Sequence, residues 1–216
     1  MYDLGAPFAE TRIAPGTNLL VAGPPMTGKR ALALDVLVHG TRQGEGTIVV
    51  TTKDSGERLR AEYAERVPDV EEPLLGIVDC VTRQQGMSNV QNGALTRYAS
   101  SPVDLTGIGI ELSELLRAFY QDEGRKRNRT LLHSLSTLLM YSNLQTVFRF
   151  LHVFTGRIQS ADALGLYVID STAHDEKTVS TVKQLFDGVL EVRETDGQRA
   201  CRLVGLADVD AGWRSI

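Results

Sequence analysis

The chain is poor in the residues that would tie it to an oxidising or membrane setting. Its 216 residues include two cysteines, Cys80 and Cys201, and one tryptophan. Cysteines so few and so far apart read as reduced, buried thiols, which excludes a disulfide framework. No apolar run approaches the roughly 20 residues needed to cross a bilayer. The opening MYDLGAPFAE has neither the charged nor the apolar region of a secretory signal. Positive charge is not in excess either. With a net charge of −4, the chain has no overall basic field with which to bind nucleic acid by releasing counterions. One local cluster, Arg125, Lys126, Arg127 and Arg129, reads as a solvated loop before a strand. The expectation is a soluble, cytoplasmic protein with neither nucleic acid nor membrane as partner.

What is present is ordinary globular composition, with 42% apolar and 23% charged residues, in a chain long enough for one large domain over 1–216. Strand-like and helix-like patterns alternate. TNLLVAG, TIVVTT, LLGIVDC, RTLLHSLS and ALGLYVID read as buried strands, and helical spacing appears between them. The helix from Lys29 is apolar nearly all round, as in a helix buried between layers. Another, from about Ile110 to Gln121, carries Leu112, Leu115, Leu116 and Phe119 on one face. Leu144, Val147, Phe148 and Leu151 share a face of the next, opposite Gln145, Arg149 and His152. Near the end, two alternating segments flank Asp196-Gly197, a type I′ hairpin signal.

The fold class is therefore α/β: a mainly parallel, twisted sheet with helices on both faces and a C-terminal antiparallel hairpin. One connection, about 81–108, reads as a long loop insertion of the kind that is functional or mobile. Within it, NVQNGALTRYA could form a short helix.

The most informative string is GPPMTGKR, residues 23–30. It follows a strand, opens a helix, and matches the phosphate-binding loop G-x-x-x-x-G-K except at its last place, where Ser or Thr gives way to Arg30. Gly23 and Gly28 let the backbone wrap a phosphate, with Pro24, Pro25, Met26 and Thr27 between them, and Lys29 would reach the terminal phosphates. In VIDSTAHDEKT, the group Asp170, His174 and Asp175 lies at a strand end but lacks convincing zinc spacing. Asp175 or Ser171 reads as a cap of the helix that follows.

At these residues the chain resembles the RecA superfamily of the KaiC and RadA type. The likeness is carried by APGTNLLVAGPPMTGKRALALDVLVHGTRQGEGTIVVTT and by the closing LFDGVLEVRE and RLVGL segments. The middle, from RYASSPVDLTGIGIELSELL through LLHSLSTLLMYSNLQTVFRFLHVFTGRIQSADALGLYVID, is similar to a largely uncharacterised KaiC-like branch from salt-loving archaea. The resemblance implies a RecA-like P-loop fold that binds ATP or a related nucleotide. It also implies assembly with itself or with a related RecA/KaiC-like protein.

Three positions depart from the family pattern. The loop hydroxyl is Arg30. The Walker B acid of a DSLS-like string is His133. The paired acids after the second strand are Lys53 and Asp54, so only a shorter acid survives. Losing the metal hydroxyl, the metal carboxylate and the base leaves Mg²⁺ doubtful and efficient hydrolysis unexpected. Lys53 and His133, with Arg30, would add positive charge on the phosphate side. The expected function is a regulatory or scaffolding pseudo-ATPase. Alternatives are a slow ATPase or kinase-like enzyme using Asp54, Ser134 or Asp170, a DNA-recombination accessory protein acting through the 125–129 cluster, and an interaction module with an empty site.

Overall fold

A computed structural model describes residues 1–86, 90–93, 95–207 and 209–216. Its centre is a nine-stranded sheet. In chain order the strands are β3 (Asn18–Gly23), β4 (Gly46–Thr51), β5 (Leu75–Asp79), β6 (Thr96–Tyr98), β7 (Asn128–His133), β8 (Leu164–Asp170), β9 (Gly188–Thr195), β10 (Gln198–Val204) and β11 (Arg214–Ser215). They lie in the order β11-β10-β9-β3-β8-β7-β4-β5-β6. Pairing is parallel from β9 through to β6, and antiparallel only among β9, β10 and β11. Two short strands, β1 (Tyr2–Asp3) and β2 (Arg12–Ile13), pair separately.

The apolar runs that marked the strands are buried on both faces, as parallel strands between helical layers must be. On one face, Leu19, Val21, Val49, Leu131 and Leu166 pack under α1 (Lys29–Arg42) and α2 (Gly56–Arg66), with Tyr2 and Phe8 closing that side. On the other, Leu20, Val50, Leu132 and Ile169 meet α3 (Leu105–Gln121), α4 (Leu135–Tyr141), α5 (Leu144–Ser160) and α6 (Glu176–Lys183). Asp104, Ser134, Asn143 and Asp175 each accept a backbone N–H at the start of α3, α4, α5 and α6, so Asp175 caps α6 as its position suggested. At the hairpin, Asp196 (φ 52°) and Gly197 (φ 74°) take the left-handed turn their pairing signalled.

Three local readings change. RTLLHSLS is not strand throughout: the strand stops at His133, and Ser134 caps α4. Within 81–108 the chain forms β6 and the first turn of α3, so regular structure interrupts the stretch read as loop. NVQNGALTRYA lies partly outside the described residues, and its described end is β6 rather than helix.

A fourth change concerns the basic cluster. Arg129 points into the protein with no exposed side-chain surface. Its Nε donates to Glu45 Oε2 at 2.5 Å and its Nη1 to the Val36 carbonyl at 2.6 Å. Arg127 pairs with the other Glu45 oxygen at 2.6 Å and lies over the Tyr2 ring. Gly40 stands in the last turn of α1, where a Cβ would collide with the Arg129 side chain. The cluster is thus partly an internal counterion to Glu45, and Arg129 cannot meet a DNA backbone.

Candidate functional site

Parallel register brings the candidate residues to one edge of the sheet. Gly23 at the end of β3 lies opposite Asp170 at the end of β8. His133 at the end of β7 lies opposite Thr51 of β4 and Val168 of β8. The loop 23–30 therefore rises at the carboxyl ends of β3 and β8, the place where open α/β sheets hold ligands.

The loop has the backbone geometry its sequence implies. Met26 (φ 65°) and Gly28 (φ 86°) both take positive φ, curling the chain ahead of α1. Gly23 has no room for a side chain, because a Cβ would meet the Val192 carbonyl of β9. Thr27 Oγ1 donates to the Pro24 carbonyl at 2.9 Å and steadies the curve. As in any first helical turn, the N–H groups of Lys29, Arg30 and Ala31 have no intrahelical acceptor, and the helix dipole places partial positive charge there. Lys29 is buried at 5% exposure, with its Nζ 2.6 Å from the Pro24 carbonyl and 2.6 Å from Asp170 Oδ1. Lys53 approaches the other Asp170 oxygen at 3.7 Å. Burial pushes the Asp170 carboxyl up, but the Lys29 bond and charge, with Lys53, outweigh it and leave the pKa lowered. Asp170 is the internal anion of the site.

Arg30 does something else. Its two terminal nitrogens each lie 2.6 Å from a Glu62 oxygen on α2, a bidentate pair, and Nη2 also reaches Asp54 at 3.3 Å. The Glu62 bond raises the Arg30 pKa and lowers that of Glu62. The guanidinium is neither directed at solvent nor spare for phosphate: its charge is matched by two acids. Asp54 is matched in turn by Arg30 and by Arg58 at 3.5 Å.

His133 corrects a second expectation. Burial first, and then the charges of Arg30 and Lys53, hold its imidazole down at about 3, so at neutral pH it adds no positive charge. Among the described residues, Lys29 and Lys53 remain as the cations directed at Asp170. The sign of the pH effect follows. A folded pKa below the unfolded value favours the neutral fold, so this stability is complete above about 6.5 and is lost as pH falls toward about 3. A His133→Asn variant should show a flatter fall in melting temperature between these limits. An unchanged profile would assign the acid sensitivity to other groups.

Ser134, named above as a catalytic alternative, and its neighbour Ser136 are engaged locally. Ser134 Oγ caps α4 by accepting from Thr137 N at 3.3 Å, while Ser136 Oγ accepts the Asp170 N–H at 2.9 Å. Asp54, Ser134 and Asp170, the candidate catalytic groups, therefore each have a partner already. His152 is exposed on its helix, and Phe154 packs edge-on to Phe150 and Tyr167 within the core. Cys80 and Cys201 are both buried and unpaired.

The donor set does not fit Mg²⁺ as a P-loop hydrolase would hold it. That ion takes hard oxygen ligands, whereas here the hydroxyl position is a paired guanidinium and the carboxylate position a buried imidazole. Among the described residues, no three His, Cys, Asp or Glu side chains come together in a way that could hold a metal ion.

Two residues that matter here gave no local signal. Glu62 reads as an exposed helix position, and Arg199 as one residue of an edge hairpin. Yet Arg199 Nη2 lies 3.4 Å from the Met26 carbonyl.

Sheet order, loop and flanking helices make up an α/β fold that matches the fold of KaiC-like proteins. A KaiC-like protein from the hyperthermophilic archaeon Pyrococcus horikoshii OT3 is similar in structure, with a TM-score of 0.66 at 15% identity, covering 93% of this chain and 84% of that one. At that identity the likeness speaks for the fold. The chain belongs to the family of unknown function DUF7504, whose model matches residues 16–192. No curated protein matches in sequence. Among the described residues, no helix is long and apolar enough to cross a membrane.

Proposed function

We propose that this chain binds a nucleotide, ATP or a close relative, at residues 23–30 without recruiting Mg²⁺, and signals occupancy rather than hydrolysing the ligand. The observation that carries the reading is the contrast within one loop. Its phosphate-holding half keeps the curled backbone, the helix start and Lys29. Its metal-holding half is filled by Arg30, tied to Glu62 and Asp54.

Charge neutralisation by the chain then falls to Lys29 and Lys53, both now held by Asp170. A phosphate entering the loop takes over Lys29 from Asp170 and from the Pro24 carbonyl. Occupancy thereby changes the ion pairing at the end of β8, which is a route from ligand to fold. Slow turnover through Asp54, Ser134 or Asp170 is disfavoured by the partners those groups already have.

Assembly with a second copy or a related protein belongs to the same proposal. Ile110, Met140, Tyr141 and Val153, all more than half exposed, give the α3–α5 side apolar surface that a partner could cover. The remainder of 81–108 stands as the candidate sensing segment.

The test is a thermal-shift titration with ATP, ADP and GTP, each with Mg²⁺ and with chelator. Ligand at about 100 times its Kd stabilises a protein by about 2.7 kcal/mol, and the same rise is expected in both conditions. A rise that vanishes with chelator, or metal-dependent hydrolysis lost in Lys29→Ala, defeats the proposal.

A further inference from the structure

The β9–β10 hairpin does more than finish the sheet. β9 pairs with β3 only as far as Ala22↔Glu191, then runs on from Val192 to Thr195 past the last β3 partner. That overhang stands beside the loop: the Val192 carbonyl abuts Gly23, and the cross-strand pair Glu194↔Arg199 lies further out. Strand alternation puts Arg199 on the same side as the buried Cys201 and Leu203, which is the side of α1. The hairpin's other arginines, Arg193 and Arg202, face the opposite way and stack on Trp213.

Arg199 is positioned from several directions. Nε donates to Glu194 Oε2 at 2.9 Å, its own carbonyl accepts the Ile216 N–H at 3.0 Å, and Nη2 reaches the Met26 carbonyl at 3.4 Å. Nη1 lies 3.4 Å from where a Gly28 Cβ would be, so the guanidinium covers the glycine that opens α1. Its side chain is half exposed, and its bond to the loop is long. A guanidinium offers five donors in a planar fork suited to phosphate oxygens, and Glu194 takes only one of them.

We propose that Arg199 is a phosphate-contacting residue of the nucleotide site, delivered within the same chain by the hairpin. It supplies a cation at the loop rim while Arg30 remains committed to α2. This inference rests on the nucleotide reading above and deepens it. Ligand binding moves Arg199 from the Met26 carbonyl to phosphate and so ties the hairpin to the occupied loop.

The experiment is calorimetric titration of wild type, Arg199→Ala, Arg199→Lys and Glu194→Gln with ATP and with inorganic tripolyphosphate, in chelator. Arg199→Ala should weaken both ligands by about tenfold, as the loss of one charged contact does. Arg199→Lys should recover part of that loss, and Glu194→Gln should bind at least as well as wild type. Because the Glu194 pair is half exposed, melting temperatures should scarcely change. Arg199→Ala binding both ligands as wild type does overturns the inference and leaves the nucleotide reading standing. Weakened ATP binding with unchanged tripolyphosphate binding makes Arg199 a base contact and overturns the phosphate role. Wild type binding neither ligand defeats the nucleotide reading, and this inference with it.

Discussion

Replacing Lys29 with alanine is expected to weaken nucleotide affinity by about 100-fold, the largest single loss available in the site. Truncating one partner of a buried, hydrogen-bonded charge pair costs roughly 2–5 kcal/mol of binding, and each 1.4 kcal/mol is a factor of about ten. Lys29 qualifies because it is 5% exposed and its ammonium is aimed across the loop onto Pro24 and Asp170. The fold should tolerate the change. Asp170 is partly exposed and keeps Lys53 at 3.7 Å, and α1 continues for 13 residues after position 29 among its 14. Calorimetry on the folded variant decides the matter. An affinity within about threefold of wild type would place the phosphate somewhere other than this loop.

The largest effect on stability is expected at Arg129. Its alanine variant should lose about 3–5 kcal/mol, the usual cost of leaving one member of a buried ion pair without its partner. Glu45, itself 5% exposed, would retain only Arg127, while the Val36 carbonyl would lose its donor. Arg127 keeps the expected loss toward the lower limit. At roughly 2–4 °C per kcal/mol for a chain of this size, the melting temperature should fall by about 10 °C. Urea midpoints should fall with an unchanged slope. Arg125→Ala, at an exposed neighbour, should stay within about 0.5 kcal/mol of wild type. A loss under about 1 kcal/mol at Arg129 would mean that the pair roughly balances its own desolvation.

Both predictions depend on residues whose chemical type was plain but whose placement was not. Arg129 sits among four basic residues in five positions, Arg125 to Arg129, and nothing local separates the buried one from its neighbours. What separates it is Glu45 on the adjoining strand end and Gly40 on α1, which clears a path for the side chain. Arg30 was legible as a departure from the loop pattern. Its outcome, a bidentate bond to Glu62, depended on how α2 packs beside α1. His133 was legible as a lost acid and misread as a gained charge, because charge depends on burial.

What the sequence determined by itself is what its neighbours along the chain can encode. The strand-loop-helix around 23–30, the two-sided apolar strands and the Asp196-Gly197 turn follow from residues within a few positions of one another. Backbone sterics and local hydrogen bonding suffice to set such features. Tertiary structure decided which charges meet. Lys29 finds Asp170, Arg30 finds Glu62, Arg129 finds Glu45, and Arg199 reaches Met26 from 173 residues away. Side-chain ion pairs are short-ranged, and their partners are assigned by strand order and helix packing. The meaning of Arg30 as a tether, and of Arg199 as the cation at the loop, could therefore be read only once the sheet had brought them into place.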